Sequence, residues 1–192
     1  MKRIKFGGMM AVVACALAAC LGLVGCSQGP TAEEVITQGI SDTLDQVKML
    51  DDATLDEIVS DGEAELDELK GMGIDGRELF KSVFDGFDYK VPSVSVDGDS
   101  ASANIDITAK SFNDAADKAT ELAEAWVANH ADELAIMDED AVNLKIGELT
   151  MQAFGEIEPK NSSATVTFTK QGNEWSCDND LLLSIIEQAF YA

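Results

Sequence analysis

The chain has 192 residues, with 36 acidic against 13 basic side chains, so its formal net charge is −23 at neutral pH. That length allows one domain after an export segment but not two domains of ordinary size. The charge excludes a conventional nucleic-acid-binding protein, which needs clustered Lys and Arg to displace counterions from phosphates. Because 46% of the residues are hydrophobic and recur at regular spacings, the sequence predicts a folded chain rather than a disordered one.

The N-terminus has the layout of a secretory signal peptide. Three of the first five residues are basic, and residues 6–25 follow without a single charged side chain. This stretch leads into the tetrapeptide Leu23, Val24, Gly25 and Cys26. The tetrapeptide resembles the lipobox of bacterial lipoproteins. The resemblance implies that signal peptidase II removes residues 1–25 and that the thiol of Cys26 carries a diacylglycerol group.

The sequence also allows two alternatives to cleavage before Cys26. A second candidate box ends at Cys20, but cleavage there would leave the apolar residues 21–24 exposed, whereas cleavage before Cys26 leaves a polar tether. The segment could also stay uncleaved as a transmembrane anchor, since about 20 apolar residues can span a bilayer. We interpret residues 1–25 as signal peptide, 26–30 as lipidated Cys and tether, and 31–192 as one domain outside the cytoplasm.

Helix signals dominate the first third of this domain. Thr31 and Glu34 have the spacing of a capping box, which predicts a first helix over 31–50. Apolar residues at helical intervals predict a second helix over 55–69, ended by glycines. Asp75 opens a third short helix, whose Phe-rich stripe is interpreted as core.

The periodicity then changes to that of strands and later returns to helix. Residues 89–96 and 101–107 alternate around an Asp97–Gly98 turn, with Pro92 predicting an edge strand or bulge. Helical patterns follow from Asn113 through Leu134 and again over 149–157, with an acidic break at 138–140 between them. A second hairpin is predicted over 164–177, and a last helix is predicted to begin at Asn179 or Asp180.

These elements predict an α+β fold, in which two hairpins form an antiparallel sheet of about four strands with helices packed on one face. The strand Val166–Lys170, followed by Gly172-Asn173-Glu174-Trp175, resembles the C-terminal hairpin of small extracytoplasmic lipoproteins with a cystatin-like or NTF2-like domain. That resemblance implies a pocket between sheet and helices. The helical insert at 113–158 departs from the plain NTF2-like layout. Four aromatic residues are the candidate lining: Tyr89, Trp126, Phe168 and Trp175.

Signatures of catalysis and of metal binding are missing from the sequence. His130 is the single histidine and is interpreted as a surface residue. Cys177 is the one cysteine left after Cys26, so neither a disulfide within the chain nor a Cys/His zinc site is expected. The acidic groups at 97–99, 138–140 and 178–180 are interpreted as solvated charge rather than calcium sites. We therefore predict no catalytic residue, no metal and no cofactor.

The resulting hypothesis is a membrane-anchored extracytoplasmic lipoprotein that acts as a non-enzymatic binding or interaction domain. One alternative is an NTF2-like pocket protein that binds or converts a small molecule, and another is a structural role in a cell-envelope complex. The expected partners are the membrane, reached through the N-terminal lipid alone, and an unidentified protein or small-molecule ligand. Nucleic acid is not an expected partner.

Overall fold

The computed structural model describes residues 29–50, 55, 69–177 and 181–191. Helix α1, Ala32–Met49, begins with the predicted capping box. The Thr31 hydroxyl accepts the Glu34 N–H at 3.2 Å, and the Glu34 carboxylate accepts the Thr31 N–H at 2.8 Å. Two N–H groups that a helix start leaves unpaired are thereby satisfied. The helix buries one apolar stripe, formed by Ile36, Ile40 and Leu44.

The region after α1 is described only in part. Residue 55 and residues 69–71 are helical, while the rest of the second predicted helix lies outside the described residues. Helix α2, Gly76–Phe84, begins at the predicted cap, because the Asp75 carboxylate accepts the N–H groups of Arg77 and Glu78 at 2.9 and 3.0 Å.

Four strands of the described chain form one antiparallel sheet in the order β1-β2-β3-β4. Their bounds are Asp88–Asp97 for β1, Ser100–Ala109 for β2, Lys160–Gln171 for β3 and Glu174–Cys177 for β4. The predicted α+β fold is confirmed. Its edge strand β1 has the expected irregularity, since the pairing register with β2 shifts between Lys90 and Ser93, on either side of Pro92.

The sheet has one buried and one exposed face. In β2 the buried positions include Ala103, Ile105 and Ile107, and in β3 they include Val166 and Phe168. The positions between them are polar and mostly exposed. The period-two alternation of the sequence therefore predicted correctly which residues of β2 and β3 face the core and which face solvent.

The insert between β2 and β3 holds three helices: α3, Phe112–Asn129, α4, Ala131–Leu134, and α5, Glu139–Glu156. The prediction of one helix from Asn113 through Leu134 was wrong, because α3 ends at Asn129. The acidic break is the start of α5, since the Asp138 carboxylate accepts the Ala141 N–H at 2.9 Å. The cap extends α5 ten residues further towards the N-terminus than its apolar pattern predicts.

The C-terminal segment closes the edge of the sheet that β4 leaves open. Helix α6, Leu181–Ile185, continues as a π-helical turn over Ile186–Phe190. The side-chain amide of Gln188 accepts the N–H of Thr165 at 3.0 Å and donates to its carbonyl at 3.2 Å. One side chain therefore replaces a strand partner at β3, which protects an otherwise open edge.

A buried lysine directly after β2 links the end of α5 to the residue that follows α2. Only 3% of Lys110 is exposed, and its Nζ donates to the Phe154 carbonyl at 2.8 Å and to Asp85 at 3.1 Å. Phe154 lies in the last turn of α5, where carbonyl groups lack helical partners and carry partial negative charge. Lys110 therefore satisfies that helix end and holds it against the residue that follows β2.

Candidate binding groove

The exposed face of the sheet is polar at each position that the strand register aligns across β1, β2 and β3. The register forms five rows of three residues, one from each strand. Hydroxyl, amide and carboxylate groups predominate, and a lysine is the one basic side chain among these fifteen. The rows are Asp88–Thr108–Asn161, Lys90–Asp106–Ser163, Ser93–Asn104–Thr165, Ser95–Ser102–Thr167 and Asp97–Ser100–Thr169.

A groove of about 500 Å³ crosses the first two rows. All six residues of these rows line it, and Tyr89 and Ser162, which lie between the rows in sequence, complete the lining. The groove therefore runs across three strands, perpendicular to the chain direction, at the end of the sheet where β1 and β3 begin. The paired strands fix the backbone positions from which these side chains extend, which suits a binding site.

Hydrogen bonds distinguish the middle row of the face from its neighbours. Asn104 donates to Ser93 at 3.1 Å and accepts from Thr165 at 3.1 Å, so that row is satisfied across all three strands. In the first row Thr108 donates to the Asn161 amide oxygen at 2.8 Å, which leaves the amide NH₂ for another acceptor.

The second row, Lys90–Asp106–Ser163, has the free hydrogen-bonding capacity. None of the hydrogen bonds between described residues uses these three side chains. All three are exposed. An ammonium, a carboxylate and a hydroxyl group therefore lie on neighbouring strands in the groove, where each can form hydrogen bonds with a ligand.

An ion pair between α1 and β1 lies at one end of the first row. Lys48, at the end of α1, donates to the Asp88 carboxylate at 2.7 Å, and the same carboxylate accepts the Tyr89 N–H at 2.9 Å. The hydrogen bond from Lys48, followed by that from Tyr89, lowers the pKa of Asp88 below its ordinary value. The hydrogen bond to Asp88 in turn raises the pKa of Lys48. Both groups therefore stay charged near neutral pH.

Replacement of Lys48 by Met is expected to raise the pKa of Asp88 towards its ordinary value, because the largest cause of its depression is removed. An NMR titration of the Asp88 carboxyl carbon measures this. Lys90→Met is the matched control and should move the pKa of Asp88 much less, since Lys90 acts on Asp88 by charge alone and more weakly than Lys48. An unchanged Asp88 pKa in Lys48→Met would contradict the pairing.

The pH range in which the Lys48–Asp88 ion pair stabilises the fold follows from the directions in which the two pKa values move. Because the pKa of Asp88 is lowered on folding, its contribution is present above the unfolded pKa, about 4, and is lost as pH falls through the lower folded value. Because the pKa of Lys48 is raised, its contribution is present below about pH 10 and is lost as pH rises through the higher folded value. Lys48→Met should therefore weaken folding slightly between these limits, since both side chains are exposed.

The four aromatic residues predicted to line a pocket lie in different surroundings. Tyr89 lines the groove, and its hydroxyl donates to the Asp45 carboxylate at 2.8 Å, while burial raises its pKa. Phe168 and Trp175 are buried on the helix-covered face, 1% and 4% exposed. Trp126 lies near the end of α3, about 20 Å along that helix from Phe112, which packs in the core.

Trp126 forms its own small cluster on the helical insert. The His130 ring stacks on it at 4.9 Å between centroids, and the Lys145 ammonium lies 5.5 Å from the indole centroid. His130 is exposed, as its surface interpretation predicts, although it lies at the junction of α3 and α4 rather than within a helix. The structure thus places Trp126 apart from Tyr89, which alone of the four lines the groove.

Cys177 is half-buried and is not in a disulfide. In the described part of the chain, no group of three or more His, Cys, Asp or Glu side chains could hold a metal ion. Among the same residues, no helix is both long and apolar enough to cross a bilayer. Cys26, its lipobox and the acidic group at 178–180 lie outside the described residues.

Sequence reasoning missed most of the groove. The sequence pattern does not distinguish Asp88, Lys90, Asp106 and Asn161 from other polar residues, although the alternation of β2 and β3 predicts an exposed polar face. The missing information was the register, which joins β1 to β2 and β2 to β3. Three polar strands that each alternate at period two are the signal that could have indicated a continuous polar surface.

No protein-family model matches the sequence, and no curated protein matches it. Among solved structures the chain is similar to YcdA, a candidate lipoprotein of Bacillus subtilis, with 15% identity and a TM-score of 0.41. The similarity covers 79% of this chain and 47% of that one, so the chain spans about half the length of YcdA.

Proposed function

We propose that this protein is a lipid-anchored extracytoplasmic lipoprotein whose domain binds a neutral, hydroxyl- and amide-rich ligand, such as a glycan chain, in the groove across β1, β2 and β3. The attachment rests on the sequence Leu23–Cys26, which resembles a lipobox. The binding function rests on one observation, the unused row Lys90–Asp106–Ser163 beside the half-used amide of Asn161.

The balance of charge in the groove favours a neutral ligand. The chain carries 36 acidic against 13 basic side chains, but the groove is lined by two aspartates and one lysine, and Lys48 pairs with one of those aspartates. The three charged residues that line the groove and Lys48 together carry no formal net charge, in a strongly acidic protein. A polyanion would meet the repulsion of the whole chain, whereas hydroxyl and amide groups find both donors and acceptors here.

The groove also has the right form for an extended ligand. Its lining spans three strands, which lie about 4.8 Å apart. Every residue that lines it has a polar or charged side-chain group, so hydrogen bonds would orient a ligand in it. The alternative function is binding of a small molecule in a pocket on the helix-covered side of the sheet. Mutations in the groove should not affect binding there, and this distinguishes the two functions.

Titration with a neutral oligosaccharide of N-acetylated amino sugars, which carries both hydroxyl and acetamide groups, tests the proposal. Asp106→Ala is expected to weaken binding roughly 10- to 100-fold, because hydrogen bonds to a charged group contribute about 1.5–3 kcal/mol. Asn161→Ala removes neutral hydrogen bonds and should weaken it roughly 3- to 10-fold. Isothermal titration calorimetry measures both losses.

Thr167→Ala is the matched control, since Thr167 is exposed on the same face of β3 but lies outside the groove. It should bind the oligosaccharide as the unaltered protein does. Equal losses in Thr167→Ala and Asp106→Ala would contradict the proposed site. Absence of binding to the unaltered protein, or tighter binding of a sulfated oligosaccharide, would contradict the proposed ligand class.

A further inference from the structure

The strand β1 lies at one edge of the sheet, and within the described chain it pairs with β2 alone. Asp97 and Ser100 face each other across a two-residue turn, so these two residues exchange both of their backbone hydrogen bonds. Pairs of this kind occur at every second position of an antiparallel ladder. The backbone N–H and C=O groups of Val94 and Val96 therefore point away from β2. We call residues 93–97 the open edge.

Other parts of the sheet edge are protected. The Lys48–Asp88 ion pair, at 2.7 Å, holds α1 against the start of β1. Pro92 has no N–H group to donate and lies where the register shifts. On β3, the side chain of Gln188 already occupies backbone groups. Among the described residues, no hydrogen bond outside the β1–β2 ladder uses the backbone of the open edge, and unpaired groups of this kind recruit another strand.

The side chains of the open edge alternate between two surroundings. Val94 and Val96 are half-buried and pack against the core, while Ser93, Ser95 and Asp97 are exposed on the polar face. A strand that joined this edge would extend both faces of the sheet, so its own side chains would have to alternate in the same way. Apolar side chains would lie beside the valines, and polar side chains would lie beside the serines and the aspartate.

We propose that the open edge binds an extended segment of a partner protein as a further antiparallel strand, and that this segment alternates β-branched apolar residues with hydroxyl and basic residues. Val94 and Val96 supply the backbone hydrogen bonds, which is how proteins recognise an added strand. Charge favours a basic segment, because Asp97 and Asp99 lie at one end of the edge and the chain has a net charge of −23. A second copy of this chain carries the same charge and is repelled. No residue of the open edge lines the groove, so the two proposals are independent.

The probe is a heptapeptide with blocked ends, Lys-Val-Thr-Val-Thr-Val-Lys, added to the full chain in a non-ionic detergent. In an antiparallel pairing, the N–H groups of its valines face the open edge and those of its threonines face solvent. Methylation of the valine nitrogens should therefore weaken binding roughly tenfold or more, because it removes these donors. Methylation of the threonine nitrogens is the matched control and should change the affinity less than twofold. Isothermal titration calorimetry measures both affinities.

Hydrogen exchange followed by NMR locates the contact. In the protein without peptide, the amides of Val94 and Val96 should exchange faster than those of Ser93 and Ser95, which donate to β2. The peptide should slow exchange at the two valines.

A change in the protein tests the same contact. Val96→Pro removes an outward N–H without removing a hydrogen bond of the ladder, and should weaken peptide binding roughly tenfold. Val96→Ile keeps the N–H and the apolar side chain, and should bind the peptide as the unaltered protein does. The methylated peptides provide the same test on the unaltered protein, so the proposal does not depend on whether Val96→Pro folds.

Several results would overturn the proposal. Equal binding of the two methylated peptides would exclude recognition through the backbone, and slowed exchange confined to residues outside 93–97 would place the contact elsewhere. Equal binding of a peptide with Glu in place of Lys would exclude selection of a basic segment. Self-association of the chain in sedimentation that Val96→Pro abolishes would assign the edge to a second copy. Absence of binding to the unaltered protein would exclude a strand partner of this chemistry.

Discussion

Phe190→Ala is expected to lower the free energy of unfolding by about 3–5 kcal/mol, the usual loss for a large aromatic residue removed from a core. Phe190 is 1% exposed, and its ring contacts those of Phe84, Phe87 and Phe112 at 5.5, 6.2 and 5.7 Å. It therefore joins α2, the start of β1, the helical insert and the C-terminal turn. Urea denaturation should show a lower midpoint with an unchanged slope.

Tyr191→Ala is the matched control at the adjacent position. Tyr191 is 43% exposed and packs against one ring, that of Phe112, at 5.1 Å. Less apolar surface is lost and no closed cavity is left, so the destabilisation should be less than half of that caused by Phe190→Ala. If the two substitutions cost the same, the aromatic cluster does not hold the C-terminal turn to the sheet as described.

Gly147→Ala is expected to destabilise the fold by about 3 kcal/mol or more, against the usual preference of helices for alanine. A Cβ at this position in α5 would lie 1.9 Å from the carbonyl oxygen of Met72. Because that atom belongs to the backbone, no side-chain rotation relieves the overlap, and the helix or the turn after residues 69–71 has to move. Chemical denaturation of the purified variant measures the loss.

Gly155→Ala in the same helix is expected to have the opposite sign. Nothing lies within 4 Å of a Cβ built on Gly155, which is exposed in the last turn of α5. The alanine should stabilise the protein by up to about 1 kcal/mol, because it reduces the freedom of the unfolded chain. Similar stability changes in both variants would show that the contact between Gly147 and Met72 does not constrain the packing of α5.

Local signals in the sequence predicted the elements of this fold well. The capping box at Thr31, the cap at Asp75 and the irregularity around Pro92 each depend on residues within four positions of one another, and the structure contains all three. Dependence on neighbouring residues also explains why the end of α3 was predicted wrongly. The apolar pattern of α3 continues past Asn129, and only the Asp138 cap, read as an interruption, marks where the next helix begins.

The groove could not be predicted in the same way, because it depends on contacts between distant parts of the chain. Asp106 lies beside Ser163 only because β2 and β3 pair in one particular register across a helical insert of about 50 residues. Alternation assigns a residue to a face, but a shift of register would place different side chains together. For the same reason, four aromatic residues chosen by type were assigned to one pocket, although Trp126 lies on the insert.

The proposed attachment of this domain to a membrane by a lipid depends on one residue, Cys26. Mass spectrometry of the protein isolated from the membrane fraction of its own cells tests this directly. We predict that residues 1–25 are absent, that Cys26 is the N-terminal residue and carries a diacylglycerol group on its thiol, and that Cys26→Ala accumulates as the uncleaved precursor. A mature N-terminus at Cys20 or at a residue other than cysteine, or an intact chain retaining Met1, would contradict the account.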